Sequence, residues 1–179
     1  MKKSAFDAAV VSAINHTLGV SKTAASREIR KEYKIRAKDL NPALRVRKAK
    51  RGRNTWEIEG ALVATGRPLG LIKFGAKQRA KGVSVNVMGR RKIVAKAFIA
   101  TMKSGHVGVF GRGGYNKGKF GFRYKRLKQH GKDLPIAEMQ TISVPTAFSN
   151  DVVLKHLEAK MATHFPKRLA HELSRRVGT

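Results

Sequence analysis

Cysteine is absent from the 179-residue sequence, which excludes disulfide bonds and thiolate metal ligands. Long apolar runs are absent as well, since no stretch approaches the ~20 residues that a membrane helix needs. The first residues, MKKSAFDAAVVSAINHTLG, place two lysines before an apolar stretch as a signal peptide does, but Asp7, Asn15 and His16 interrupt that stretch. We therefore expect an amphipathic helix of the mature protein, and the lack of cysteine suits a reducing cytoplasm.

Acidic residues are scarce: 11 Asp and Glu stand against 39 Lys and Arg, which gives a net charge of +28. Residues 60–132 contain 18 Lys and Arg and no acid at all. Such a field attracts polyanions and acidic protein surfaces, and it repels other copies of the same chain. Solubility alone does not require acids to be excluded over 73 consecutive residues, so we expect an anionic partner.

The sequence also lacks a recognisable catalytic or metal-binding constellation. Its acids are too scattered for a carboxylate pair, and no serine has a matching His and Asp arrangement. His156, His164 and His171 share a predicted helix, but steps of eight and seven residues set them too far apart to chelate one ion. We expect no enzymatic activity, no cofactor and no metal.

The hydrophobic pattern changes its period along the chain. Apolar residues three and four apart predict a helix over residues 6–18 that ends at Gly19, a second helix over 22–35 and a short one over 40–48 with Pro42 in its first turn. Alternation and apolar runs then predict strands over residues 55–65, 69–74, 83–88, 92–102 and 139–144. A final helix follows a cap at Ser149 or Asn150, and Pro166 should kink or split it.

The segment KAFIATMKSGHVGVFGR, residues 96–112, is the centre of this pattern. AFIATM and HVGVF each suit a strand, and residues 103–105 between them have turn chemistry. We therefore predict a hairpin that runs directly into a cationic loop.

The order of helices, strands and a helix predicts an α+β fold. We expect one domain with helices over residues 1–50, a mostly antiparallel sheet over 54–145 and a long C-terminal helix over 150–177 packed on that sheet. A basic glycine-rich loop should interrupt the sheet at residues 111–132.

Within this loop, GGYNKGKF at residues 113–120 matches part of a phosphate-binding P-loop, but it ends in Phe120 where a hydroxyl would hold magnesium. The tract also resembles RGG-like nucleic-acid-binding segments, with cations for phosphates and aromatic rings for bases. The alternative is a loop whose aromatic residues pack on the sheet or on a neighbouring subunit, with its charges toward partners. The basic residues that would face a partner or DNA are Arg112, Lys117, Lys119, Arg123, Lys125, Arg126 and Lys128.

Four stretches resemble the minor tail protein Z family of tailed bacteriophages. They are IRAKDLNPALRVRKAKRG (residues 35–52), ATGRPLGLIKFGAKQRAKGVSV (64–85), AKAFIATMKSGHVGVFGR (95–112) and LPIAEMQTISVPTAF (134–148). The N-terminal and C-terminal helices match only in character. Residues 113–132 are longer and richer in glycine than the family pattern, so the family implies least about this tract.

The resemblance implies a structural virion protein that completes the head-proximal end of the tail and enables heads to join. It also implies a homo-oligomer, a hexamer by analogy with rings in that region, assembled in the host cytoplasm and located at the neck of the virion. Expected neighbours are tail terminator, tail tube or neck ring proteins, with genomic DNA as a further partner and no membrane. The alternative from charge alone is a basic nucleic-acid-binding protein, ribosomal-protein-like or a DNA-binding module.

Overall fold

The computed structural model of the protein describes residues 3–51, 57–112, 114–118, 121–125 and 136–177. It confirms an α+β fold in which every pair of described strands is antiparallel. The helices are α1 (Lys3–Glu32), α2 (Ala37–Leu40), α3 (Val144–Phe148) and α4 (Asp151–Val177), with 3₁₀ turns at Asn41–Ala43 and Leu71–Phe74. The strands are β1 (Leu44–Arg51), β2 (Ile58–Ala64), β3 (Lys77–Arg79), β4 (Gly82–Asn86), β5 (Arg91–Ala95), β6 (Ala97–Thr101), β7 (Val107–Arg112), β8 (Gly114–Gly118), β9 (Gly121–Lys125) and β10 (Ile136–Glu138).

The chain forms two compact units. The first contains Met1–Ile29, Leu40–Gly66 and Val144–Thr179, and the second contains Arg30–Asp39 and Arg67–Ser143. The single-domain organisation expected from the sequence stays a prediction. None of the helices in the described ranges is both long and apolar enough to cross a membrane.

Helix α1 is continuous, so the helix end predicted at Gly19 is wrong. Within the first unit its buried positions include a stripe that recurs every four residues, formed by Ala9, Ala13, Thr17, Ser21, Ala25 and Ile29. The side chains of this stripe before Ile29 are small, which lets neighbouring elements approach closely, and burial of the stripe outweighs the cost of about 1 kcal/mol for one glycine inside a helix.

Replacing Gly19 by alanine should therefore stabilise the protein. Gly19 is exposed, and an added Cβ would meet nothing within 4 Å. Because alanine loses less backbone entropy on entering a helix, we expect a gain of about 0.5–1 kcal/mol in the free energy of unfolding, measured by urea denaturation. A loss of stability would show that the helix relies on glycine at this position.

Strand β1 replaces the short helix predicted over residues 40–48. Leu44 and Val46 face inward while Arg45 and Arg47 are exposed, which is the alternation of a strand. Pro42, read as a helix start, lies instead in the 3₁₀ turn before β1. The strand predicted over residues 55–65 begins at Ile58 as strand β2, and residues 55 and 56 lie outside the described residues.

A bulge in β1 is held by a side chain of α1. The register of β1 against β2 shifts between Arg47 and Lys50, which leaves Ala49 out of the ladder. Asn15 Nδ2 donates to the Ala49 carbonyl at 3.1 Å, and its Oδ1 accepts from the Ala49 N–H at 2.7 Å. The amide thus satisfies both backbone groups that the bulge removes from the sheet.

The C-terminal part begins with α3, where the sequence predicted the end of a strand over residues 139–144. Pro145 occupies the first turn of this helix, where its missing N–H costs nothing. Asn150 caps α4 as predicted, because its Oδ1 accepts from the Val152 N–H at 3.0 Å. Helix α4 continues through Pro166, so the proline does not split it.

The second unit contains two three-stranded sheets, ordered β3-β4-β5 and β10-β7-β6. Its buried core joins both sheets and consists of Leu71, Val83, Val85, Ala97, Val109 and Met139. The predicted hairpin of β6 and β7 is confirmed, and its turn closes with a hydrogen bond from the Met102 N–H to the His106 carbonyl at 2.8 Å.

Three strand predictions in this unit are wrong. Residues 139–143 contain no strand, because β10 ends at Glu138 and Gln140 makes only an isolated bridge to Gly70. Residues 69–74 contain a 3₁₀ turn, in which Leu71 and Phe74 are buried three residues apart rather than at alternating positions. The strand over residues 92–102 is broken at Lys96, which has φ of 60°. At this break the chain leaves β5 in one sheet and enters β6 in the other.

Candidate assembly surface

The basic tract that was predicted to be a loop contains a β-hairpin. Strands β8 and β9 pair in register from Gly114 opposite Lys125 to Gly118 opposite Gly121. Within the described strands they pair only with each other. In the chain, the hairpin lies between β7 and β10. Because β7 and β10 are themselves antiparallel neighbours, the hairpin is part of the connection between these two strands.

The register arranges the hairpin residues into two faces. Tyr115 stands opposite Tyr124, and Lys117 stands opposite Phe122. Since alternate residues of a strand share a face, these four residues lie on one face of the ribbon. Asn116 and its partner Arg123 lie on the other face.

The structure distributes the seven predicted partner-facing residues over three settings. Arg112 ends β7, while Lys117, Arg123 and Lys125 lie on the two strands of the hairpin. Lys119, Arg126 and Lys128 lie outside the described residues. The P-loop reading of residues 113–120 is disfavoured, because Gly114–Gly118 is a strand where a P-loop requires a loop that opens into a helix.

Arg112 belongs to a row of aromatic and charged side chains along the hairpin of β6 and β7. Its guanidinium carbon lies 5.7 Å from the centre of the Phe98 ring, within cation–π range. Phe98 and Phe110 are paired across β6 and β7, with ring centres 6.3 Å apart. The His106 ring meets Phe110 edge to face at an angle of 88°. Arg112, the last residue of β7 before the hairpin of β8 and β9, thus packs against a half-buried aromatic surface.

Glu138 places a carboxylate beside this row, and no sequence motif pointed to Glu138. Its Oε1 lies 3.0 Å from His106 Nε2, and β10 pairs it with Phe110. An added Cβ would lie 2.7 Å from the same oxygen at Gly70 and 3.2 Å from it at Gly108. The glycines thus leave the space that this carboxylate occupies.

The first unit contains a separate groove of about 690 Å³. Ile14 and Leu18 of α1, Ile58 of β2, and Met161 and Phe165 of α4 give it apolar walls. Gly60 lets β2 approach α1, because an added Cβ would lie 2.7 Å from Leu18 Cδ1. Glu57 and Glu59 also line the groove, and Arg47 pairs with Glu59.

The histidines of α1 and α4 form contacts that their spacing in sequence does not reveal. The rings of His16 and His164 stack with centres 5.2 Å apart and planes at 2°. Thr17 Oγ1 lies 3.2 Å from His164 Nδ1. Burial and the positive Arg168 nearby lower the pKa of His16 below its usual 6.5. Among the described residues, no group of three or more His, Cys, Asp or Glu could hold a metal ion.

The model of the family described as prophage minor tail protein Z matches residues 1–178. No curated protein and no solved structure matches this chain.

Proposed function

The chain belongs to the prophage minor tail protein Z family, a family of phage tail structural proteins, and from this premise we propose that it completes the head-proximal end of the tail. In this position it makes the finished tail competent to join a DNA-filled head. The protein would then be a component of the virion neck, assembled in the host cytoplasm. The observation that carries the proposal is the family match over residues 1–178.

The distribution of charge supports contacts with anionic neighbours. Residues 60–132 carry 18 cations and no acid, and the hairpin lies inside this range. We propose that the cations of the hairpin meet acidic faces of an adjoining terminator, tube or neck ring protein. The same cations are suited to passing genomic DNA, whose phosphates they would neutralise. We further propose that the protein assembles with copies of itself as a ring, a hexamer.

A deletion of the coding sequence in an inducible prophage tests this function. We expect DNA-filled heads and full-length tails to accumulate separately, because the last step of tail assembly is missing. Plasmid-borne wild-type protein should restore joined particles, as counted by electron microscopy and plaque titre. Normal numbers of joined particles without the protein would contradict the proposal, and tails of abnormal length would assign it an earlier step.

The second candidate function, nucleic-acid binding, is favoured by the cations that the hairpin brings together. Purified protein should then bind duplex DNA with an affinity that falls with salt at a log–log slope of about −0.9 per neutralised phosphate. Replacing Lys117, Arg123 and Lys125 by alanine should reduce that slope by about 2–3 if all three contact phosphates. Binding is measured by fluorescence anisotropy over a series of salt concentrations.

A matched control replaces Lys77, Lys92 and Lys103, three exposed cations of the same unit, by alanine. An equal loss of slope in both variants would show that DNA responds only to net charge. No binding at low salt, together with incorporation into tails, would exclude nucleic acid as the main partner.

A further inference from the structure

The groove of the first unit is an apolar surface without a described occupant. Met161 and Phe165 are half-buried along its wall, while Glu57 and Ala162 are exposed at it. A volume of about 690 Å³ is comparable to the roughly 300–1,000 Å³ of typical ligand pockets. Apolar surface of this kind, bordered by polar groups, is characteristic of interaction sites.

The charge at the groove is exceptional for this chain. Two of the 11 acidic residues, Glu57 and Glu59, lie along it, whereas residues 60–132 have none. Arg47 offsets the charge of Glu59, and the exposed Glu57 adds a second carboxylate. The groove therefore suits an occupant that combines apolar or aromatic surface with positive charge.

The hairpin of β8 and β9 has this chemistry. Residues 115–124 contain four of the twelve aromatic residues of the chain, Tyr115, Phe120, Phe122 and Tyr124. The register places three of these on one face together with Lys117, and Arg123 and Lys125 complete the basic character of β9. Tyrosine and arginine are among the residue types most enriched at the energetic centres of protein interfaces.

We propose that the hairpin of one copy docks in the groove of a second copy. The interface joins two different surfaces, so it is heterologous and can continue from copy to copy until the ring closes. Local attraction between the cationic hairpin and Glu57 counters the repulsion expected between chains of charge +28. This inference deepens the proposed self-assembly and does not depend on where in the tail the protein lies.

Two variants separate the surfaces. Deleting residues 114–125 removes the hairpin and leaves the groove, whereas Ala162→Arg places a bulky cation at the groove and leaves the hairpin. Ala170→Arg is the matched control, since Ala170 is exposed on the same helix and does not line the groove. Nuclease-treated full-length protein is examined by sedimentation velocity over a range of concentrations.

Wild-type protein should associate in a concentration-dependent manner, and each variant alone should weaken that association at least about tenfold, as loss of an interface centre does. The two variants mixed should form a one-to-one complex that grows no further, because each supplies the surface that the other lacks. Ala170→Arg should behave as wild type. A second form of the hairpin variant, with Lys117, Arg123 and Lys125 changed to Glu, guards against a folding defect of the deletion.

Several results would overturn the docking. They are a wild-type protein that stays monomeric, an Ala162→Arg variant that associates normally, and a mixture of the two variants that forms no complex. The prophage deletion gives an independent answer on function. If that deletion blocks head joining while Ala162→Arg still associates, the proposed function stands and only this interface is wrong.

Discussion

Replacing Gly82 by alanine is expected to cost about 3–5 kcal/mol of unfolding free energy, because a strained backbone and a steric clash coincide there. Gly82 begins the central strand β4 with φ of 143°, a conformation that residues with a side chain rarely adopt. A Cβ at this position would lie 2.1 Å from the Val94 carbonyl oxygen of the neighbouring strand. That oxygen belongs to the backbone of the β4–β5 ladder, so it cannot move aside without breaking the pairing.

Gly89→Ala is the matched control for this prediction. Gly89 also has positive φ, 79°, but an added Cβ would meet nothing within 4 Å. The backbone cost alone, about 1–2 kcal/mol, should therefore appear in its urea denaturation curve. If both variants lose the same stability, the contact with Val94 is relieved by movement of the strands, and the packing argument for Gly82 fails.

The wrong predictions lie mainly in short apolar segments whose residues fit both a helical period and the alternation of a strand. Residues 69–74 are apolar enough for a strand, yet burial of Leu71 and Phe74 at a spacing of three produces a 3₁₀ turn. Leu44 to Arg47 alternate clearly, but only over four residues that follow Pro42, a residue common at helix starts. Tertiary packing decides such segments. In α1, by contrast, the helical period was recognised on both sides of Gly19, and only the helix end placed at Gly19 was wrong.

The two candidate surfaces were predictable to different degrees, because one depends on local sequence and the other on residues that are distant in sequence. Counting charges located the basic tract, because excess charge is a property of local sequence. Its hairpin was missed, since glycine is poorly represented in strands and hides the alternation of Tyr115 and Lys117. The groove could not be found at all, because it unites residues from Ile14 to Pro166 that only folding brings together.

The largest electrostatic effect is expected at Glu172 of α4. Its side chain is 1% exposed and is surrounded by Arg168 at 2.6 Å, Arg175 at 3.0 Å and Arg176 at 3.4 Å. Hydrogen bonds from Arg175 and from Ser12 of α1, together with the charges of Arg175 and Arg168, lower the pKa of Glu172 to about 2 against the opposing effect of burial. One carboxylate thus holds three guanidinium groups and joins α4 to α1.

Stability should follow the ionisation of this carboxylate. Its folded-state pKa lies below the usual 4.5, so its contribution is complete above pH 4.5 and disappears as the pH falls toward 2. Glu172→Gln removes the charge at every pH, which leaves the arginines without a counter-ion. We expect the melting temperature of this variant to lie several degrees below that of wild type at pH 7, measured by circular dichroism.

The difference between wild type and Glu172→Gln should shrink as the pH is lowered from 4.5 toward 2, since wild type then loses the same charge. Glu158→Gln, an exposed position on the same helix, controls for the substitution and should leave the melting temperature unchanged at each pH. A deficit of Glu172→Gln that is the same at pH 3 and pH 7 would mean that shape and hydrogen bonding hold α4 to α1. A deficit confined to the higher pH would establish that the charge of Glu172 does so.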